Sequence, residues 1–283
     1  MAFEITDDQI FTGKLIIGGS GPFCDIFEGK FKDQVVAIKM YKMKELPKHL
    51  YKEFDIYKNT SHPNILKFYG MCPYVFFTVF ELAPHSLASF YNNFVLSWEN
   101  IYNFGNQMAL AMDYLFSNRI NHKHLKSSNI FVTNDLVIKV ADFSLTKTKL
   151  EHSTIGAFKC GQVSVRWRAP ETFQREYAKH YENIEIVQLN DVYSYAMLLW
   201  EMRKRKIPFV TYDEMAVVHL LNMGTQEEID FSWPQHFKKL LRDCWCIPAF
   251  DRPTFQQIIA RFSSEFDIEN AKLAPVEGFK ACN

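Results

Sequence analysis

The residues best equipped for chemistry cluster in His122-Lys123-His124-Leu125-Lys126-Ser127-Ser128-Asn129, followed thirteen residues after the Asn by Asp142-Phe143-Ser144. A neutral imidazole can accept a proton, so His124 could serve as a base. A protonated ring could not, and it would repel a divalent cation. Upstream, Gly19-Ser20-Gly21-Pro22-Phe23-Cys24 places two glycines where main-chain N–H groups could approach phosphate oxygens with no Cβ in the way. Val36-Ala37-Ile38-Lys39 ends a β-branched run on a lysine. Taken singly, each has an ordinary reading: the glycines as a hairpin turn, Lys39 as an exposed strand residue. Their order and spacing argue otherwise.

Composition narrows the classes. Lys plus Arg and Asp plus Glu both number 32, so no strong general attraction to nucleic acid or anionic membrane is expected. Residues 1–8 lack the apolar core of a signal peptide, and Ala2 rather than Gly removes the myristoylation pattern. The C-terminus, Phe279-Lys280-Ala281-Cys282-Asn283, is no prenylation box, and the longest apolar run, Tyr74 to Phe80, is too short to span a bilayer. Six cysteines, at 24, 72, 160, 244, 246 and 282, form no CxxC pair and read as free thiols of a reducing compartment. The expectation is a soluble cytoplasmic protein with no nucleic-acid partner and no membrane segment.

The elements that must position these residues follow from periodicity. Phe11 to Gly18, Ile26 to Gly29 and Val35 to Tyr41 read as strands, with Phe31-Lys32-Asp33-Gln34 as a turn. Lys48 to Thr60 carries Leu50, Phe54 and Tyr57 at helical spacing. Ile65 to Cys72 and Val75 to Glu81 are strand-like, with Phe76, Thr78 and Phe80 expected on one face. After Pro84 the texture turns helical. Trp98 to Ser117 has apolar residues at Ile101, Phe104, Met108, Met112 and Leu115. Asp191 to Glu201 suits a central buried helix, and His236 to Cys246 and Thr254 to Phe266 are amphipathic. From Asp267 the pattern fades into a tail. Strands first and helices later mean an α+β chain in two lobes, 1–82 and 83–266, with a tail over 267–283.

With these motifs in this order, the chain resembles the protein-kinase superfamily over residues about 11 to 265. Glu53 lies nine residues before His62 and fourteen after Lys39, which matches the family's strand-lysine to helix-glutamate ion pair. The resemblance implies a bilobal kinase fold, a small β-rich N-lobe with one helix and a larger helical C-lobe. It implies ATP and Mg²⁺ as cofactors. Gly19, Gly21, Ile26, Ala37, Lys39, Glu53, the gatekeeper Phe80, the hinge residues Glu81 and Ala83, and Phe131 would hold nucleotide. Asn129 and Asp142 would hold metal, and Lys126 would contact the transferred phosphate. Phe143 would join Tyr57, Phe68 and His122 in a hydrophobic spine. Ala169-Pro170-Glu171 with Arg252 would form a buried structural ion pair.

The departures matter as much. His124 stands where the family has its catalytic Asp, Cys24 where it has a third glycine, Lys123 where it has Arg, and Ser144 where it has the Gly of D-F-G. Val165-Arg166-Trp167-Arg168 and Cys244-Trp245 resemble the tyrosine-kinase-like branch. Ser127 to Thr133 and Ala141 to Thr148 resemble the pseudokinase domain of the mixed lineage kinase domain-like family; His122-Lys123 resembles kinase suppressor of Ras. The first resemblance implies a partner kinase of the receptor-interacting type, and no effector bundle of that family is expected here. Two readings stay open. One is a pseudokinase that binds ATP and sequesters a partner kinase, as a virus-borne decoy blocking necroptosis would. The other is a slow Ser/Thr or dual-specificity kinase working through His124 or a water. Ser153, Thr154 and Ser164 are candidate phosphorylation positions.

Overall fold

The computed structural model describes residues 3–17, 24–42, 48–143, 164–174 and 184–265. Gly19, Gly21, Ser144, Ser153, Thr154 and the expected tail lie outside the described residues. The chain has the protein-kinase fold, and it divides into two units. One comprises Met1–His85 and Phe131–Ser144, the other Ser86–Ile130 and Leu145–Asn283. The sequence reading placed the first boundary at 82/83 and ran the second lobe unbroken. The chain instead returns to the first unit after Ile130, because Ile65 bridges to Val140 and the Leu66 N–H donates to the Val140 carbonyl at 2.9 Å.

In the first unit, β1 (Ile10–Ile17), β2 (Cys24–Phe31), β3 (Gln34–Tyr41), β4 (Phe68–Cys72) and β5 (Phe77–Glu81) form an antiparallel sheet in the order β1-β2-β3-β5-β4. Lys32 and Asp33, at φ 47° and 63°, make the left-handed two-residue turn that matches the twist of β2 and β3. Ile5, Phe31, Val36, Ile38, Cys72, Phe77 and Val79 form a buried cluster. Ile5 arrives from the N-terminal segment, whose Phe3 carbonyl accepts from Met71 N–H at 2.9 Å. Gly70 permits that approach, since a Cβ there would lie 2.4 Å from the same carbonyl.

Helix α1 (Lys48–Lys58) supplies Phe54 and Tyr57, whose rings stack on Phe68 with centroids 5.9 Å away in each case. The expectation that Phe76 shares a face with Thr78 and Phe80 is corrected. Phe76 sits before the strand at φ 55°, and β5 is buried on both faces from Phe77 to Phe80. A strand covered on both faces loses the alternation that an exposed face would impose. Two-residue strand β6 (His85–Ser86) precedes the second unit, and β7 (Ile130–Val132) and β8 (Ile138–Val140) follow its first part.

The second unit is helical: α2 (Leu87–Asn93), α3 (Trp98–Ser117), α4 (Ile184–Lys204), α5 (Glu214–Asn222), α6 (Gln235–Cys244) and α7 (Phe255–Glu265). All five residues that define the apolar face of α3 are buried. Ser97 caps that helix by accepting from Asn100 N–H at 3.1 Å. Three helices meet at Gly105, where a Cβ would lie 2.9 Å from Phe262 and 3.0 Å from Leu199. Helix α4 is buried from Asn190 through Met202, as its near-continuous apolar run requires.

Arg252 and Glu171 form the expected ion pair, bidentate at 2.6 and 2.9 Å, with the Arg252 side chain fully enclosed. Arg252 also donates to the Cys246 and Leu189 carbonyls, at 2.9 and 3.0 Å. Arg252→Ala strands one carboxylate and two carbonyls, so it is expected to destabilise the protein by about 3–5 kcal/mol. Urea denaturation measures this; a loss below about 1 kcal/mol, the range of a surface pair, would contradict the structural role.

Candidate functional site

The sequence-predicted site residues divide between the units. Ile26, Ala37, Lys39, Glu53, Phe80, Glu81, Ala83, Phe131 and Asp142 belong to the first; His124, Lys126 and Asn129 belong to the second.

In the first unit, sheet register sets the neighbours. Ile26 pairs with Lys39, Lys39 with Thr78, and Ala37 with Phe80. Phe80 is buried, Ala83 and Phe131 are half-buried, and Glu81 is engaged twice by its carboxylate. It accepts from Lys67 N–H at 2.7 Å and pairs with Lys139 at 2.9 Å. Burial opposes the charge on Lys39. Tyr41, Glu53 and Asp142 outweigh that penalty, so its pKa is raised and it stays cationic. Burial lifts Glu53 to about 7, with Lys39 pulling it down and Asp142 pushing it up. The expected Lys39–Glu53 ion pair is corrected: among the described residues Lys39 closes no ion pair, and the two charges act on each other only through space. Its ammonium instead lies 5.2 Å from the Tyr41 ring centroid, a cation–π distance. The Tyr41 hydroxyl reaches Thr78 Oγ1 at 3.5 Å.

Asp142 sits at φ 69°, a left-handed conformation that Asp tolerates better than most residues. Its N–H donates to the Tyr57 hydroxyl at 2.9 Å, and the Phe143 N–H donates to Glu53. Tyr57 meets Phe143 edge-on at 4.7 Å and Phe80 at 5.1 Å, which gives the first-unit part of the expected spine.

In the second unit, the loop that carries His124 is pinned from α4. Asp191 accepts from the N–H groups of His122 and Lys123, at 2.8 Å each, and Lys123 adopts φ 64° there. His122 Nδ1 accepts from His124 N–H at 3.2 Å. The Asn129 amide donates to the His124 carbonyl at 2.8 Å, which leaves its own oxygen as the end suited to a hard cation. Lys126 Nζ donates to Ser164 Oγ at 3.3 Å. Both ring nitrogens of His124 are buried.

Sequence reasoning missed a second anchor. The buried Glu201 carboxylate accepts from Ser127 Oγ at 2.5 Å, Tyr91 Oη at 2.6 Å and Trp167 Nε1 at 2.6 Å. It thereby ties the Asn129 loop to the segment that carries Ser164. Ser127 and Trp167 were both in view as family markers, but only the fold shows that they share one acceptor. Sequence reading likewise assigned Tyr57 its ring and overlooked its hydroxyl.

Residues 14–262 match the family described as protein tyrosine and serine/threonine kinase, and the chain belongs to that family. It is similar to mitogen-activated protein kinase kinase kinase 13-A of Xenopus laevis, 30% identical over 250 residues, covering 85% of this chain and 24% of the relative. Probable serine/threonine-protein kinase drkD of Dictyostelium discoideum is 31% identical over 268 residues, covering 91% and 20%. Serine/threonine-protein kinase STY46 of Arabidopsis thaliana is 28% identical over 250 residues, covering 85% and 42%. The chain therefore spans less than half the length of each of these relatives. No helix among the described residues is long and apolar enough to cross a membrane.

Family membership implies ATP and Mg²⁺ in general, and the residues present fit both. Lys39 keeps the positive charge that phosphate oxygens require. Asp142 of the first unit and Asn129 of the second each carry an oxygen of the kind that Mg²⁺ prefers. A bound magnesium ion would supply charge neutralisation at the phosphate oxygens.

The buried carboxylates make stability depend on pH. Burial raises Glu201 to about 7 and Asp191 to about 6, despite the donors each has gathered. In the window between the ordinary carboxylate range and these values, the native state holds protons that the unfolded chain has released. Stability is therefore highest below the window and falls as pH rises through it. Thermal melts are expected to drop between pH 5 and pH 8. Glu201→Gln should flatten that slope whatever it does to the absolute melting temperature; an unchanged slope would assign the dependence elsewhere.

Proposed function

We propose that this domain binds Mg·ATP but transfers phosphate weakly or not at all, a pseudokinase that works by occupying a partner kinase. The observation that carries this reading is His124. It replaces the carboxylate that would accept the substrate proton, and both its ring nitrogens are buried while the surrounding loop keeps its supports. Losing a positioned general base costs ~10²–10⁴-fold. Against a kinase turnover of roughly 1–100 s⁻¹, slow transfer remains chemically accessible, since positioning and charge stabilisation supply much of the catalysis. Lys39 and Asp142, which serve binding, are independent of that base.

The resemblance of Ser127 to Thr133 and Ala141 to Thr148 to the mixed lineage kinase domain-like pseudokinases supports a receptor-interacting-type kinase as the partner. In this reading the domain is cytoplasmic and blocks necroptotic signalling as a decoy. A second reading, a slow Ser/Thr kinase, is favoured by one contact, Lys126 to Ser164, which joins the loop lysine to a hydroxyl on the segment before Ala169-Pro170-Glu171.

Thermal-shift titration separates the layers. ATP with Mg²⁺ is expected to raise the melting temperature, more than ATP in EDTA does, and Lys39→Met and Asp142→Asn should each remove the shift. Absence of any nucleotide shift in the wild type would leave a scaffold without nucleotide. Radiolabelled ATP should give little or no incorporation; robust labelling abolished by Asp142→Asn would establish the slow kinase instead.

For the partner, pull-down from cells containing the receptor-interacting kinase should recover it, and expression should protect those cells from necroptotic death. Failure to recover the kinase, or promoted death, would sink the decoy.

A further inference from the structure

Tyr57 carries a hydroxyl where ring contacts alone would be served by phenylalanine. Its ring already meets Phe143, Phe80 and Phe68, at 4.7, 5.1 and 5.9 Å, and none of these contacts uses oxygen. A buried phenol oxygen costs free energy unless it finds a partner. Here the partner is the main-chain N–H of Asp142, at 2.9 Å. Asp142 is one of the described residues with positive φ, 69°, a conformation uncommon for residues other than glycine although Asp tolerates it better than most. One helical turn earlier, Glu53 takes the next amide, that of Phe143. Residues four apart share a helix face, so α1 grips two consecutive peptides with two side chains.

We propose that Tyr57 is a positioning residue for the metal-holding Asp142: its hydroxyl fixes the left-handed peptide and so sets the carboxylate toward a divalent cation bound with nucleotide. This rests on the reading that the domain binds Mg·ATP. Burial raises the phenol pKa well above its ordinary value, so the strut stays neutral and does not titrate near neutral pH.

Tyr57→Phe removes the oxygen and keeps the ring. Hydrogen exchange of the nucleotide-free protein should show the Asp142 amide exchanging about 5–10-fold faster, the equivalent of losing one hydrogen bond, with residues 48–58 still protected as a check on folding. The affinity for ATP with Mg²⁺ should fall by about the same 5–10-fold, while affinity for ATP in EDTA stays unchanged. Tyr57→Leu, which also lacks the oxygen, should reproduce the Mg²⁺-selective loss. Unchanged Asp142 exchange overturns the proposal, as does an equal loss with and without Mg²⁺, which would mean general loosening of α1. If the wild type binds no nucleotide, the functional reading fails, and the exchange measurement on the free protein still decides whether Tyr57 holds Asp142.

Discussion

The second unit depends on a carboxylate buried in the middle of a helix. Asp191 lies within α4, the most enclosed helix of the described residues, and accepts the N–H groups of His122 and Lys123. Without it, the two amides would each lose a charged acceptor, at roughly 1–3 kcal/mol each. Ten residues further along the same helix, ~15 Å at helical rise, Glu201 accepts Ser127 from the far end of the same loop. One rigid helix therefore pins the loop before and after position 124. The bonds of these two anchors go to the His122 and Lys123 main chain and to Ser127.

The first unit concentrates charge where the second concentrates buried acceptors. Lys39 and Glu53 shift each other's protonation, and Asp142 acts on both, inside an aromatic shell of Tyr41, Phe54, Tyr57, Phe68, Phe80 and Phe143. One cation faces two carboxylates, and the Asp142 charge opposes ionisation of Glu53. Glu53 gives way, rising to about 7, and Lys39 remains charged with Tyr41 as a second contact. A magnesium ion held at Asp142 would bring positive charge beside these carboxylates.

Much of this was legible in the sequence. Motif order named the fold, since a glycine pair, Lys39, Glu53, Asn129, Asp142, Glu171 and Arg252 at those spacings have few other homes. The long helices followed from periodicity, and α3 matched the reading residue for residue. Helices α2 and α5, at 7 and 9 residues, went unread because so few turns give a weak period, although Ser86 and Asp213 stand as their caps. The end of β5 was misread at Phe76 because apolarity continues through a turn, and hydrophobicity does not report φ. The site's supports were the least legible part. Tyr57 to Asp142 spans 85 positions and Tyr91 to Glu201 spans 110, and a hydroxyl gives no sign in the sequence of which distant amide or carboxylate it will meet.

Belonging to the kinase family and performing its reaction draw on different residues. The interactions that build the fold, Arg252 with Glu171, Asp191 with its two amides, and the aromatic stack on α1, contribute to stability, and a chain that loses one risks unfolding. The base at position 124 contributes to a rate and to little else. Identity of about 30% to proteins named as kinases goes with membership of the family. Nucleotide binding falls between the two, since Lys39, Glu53 and Asp142 are charged groups buried together at a cost that a bound Mg·ATP would offset. Fold, nucleotide site and transfer therefore rest on three separable sets of residues.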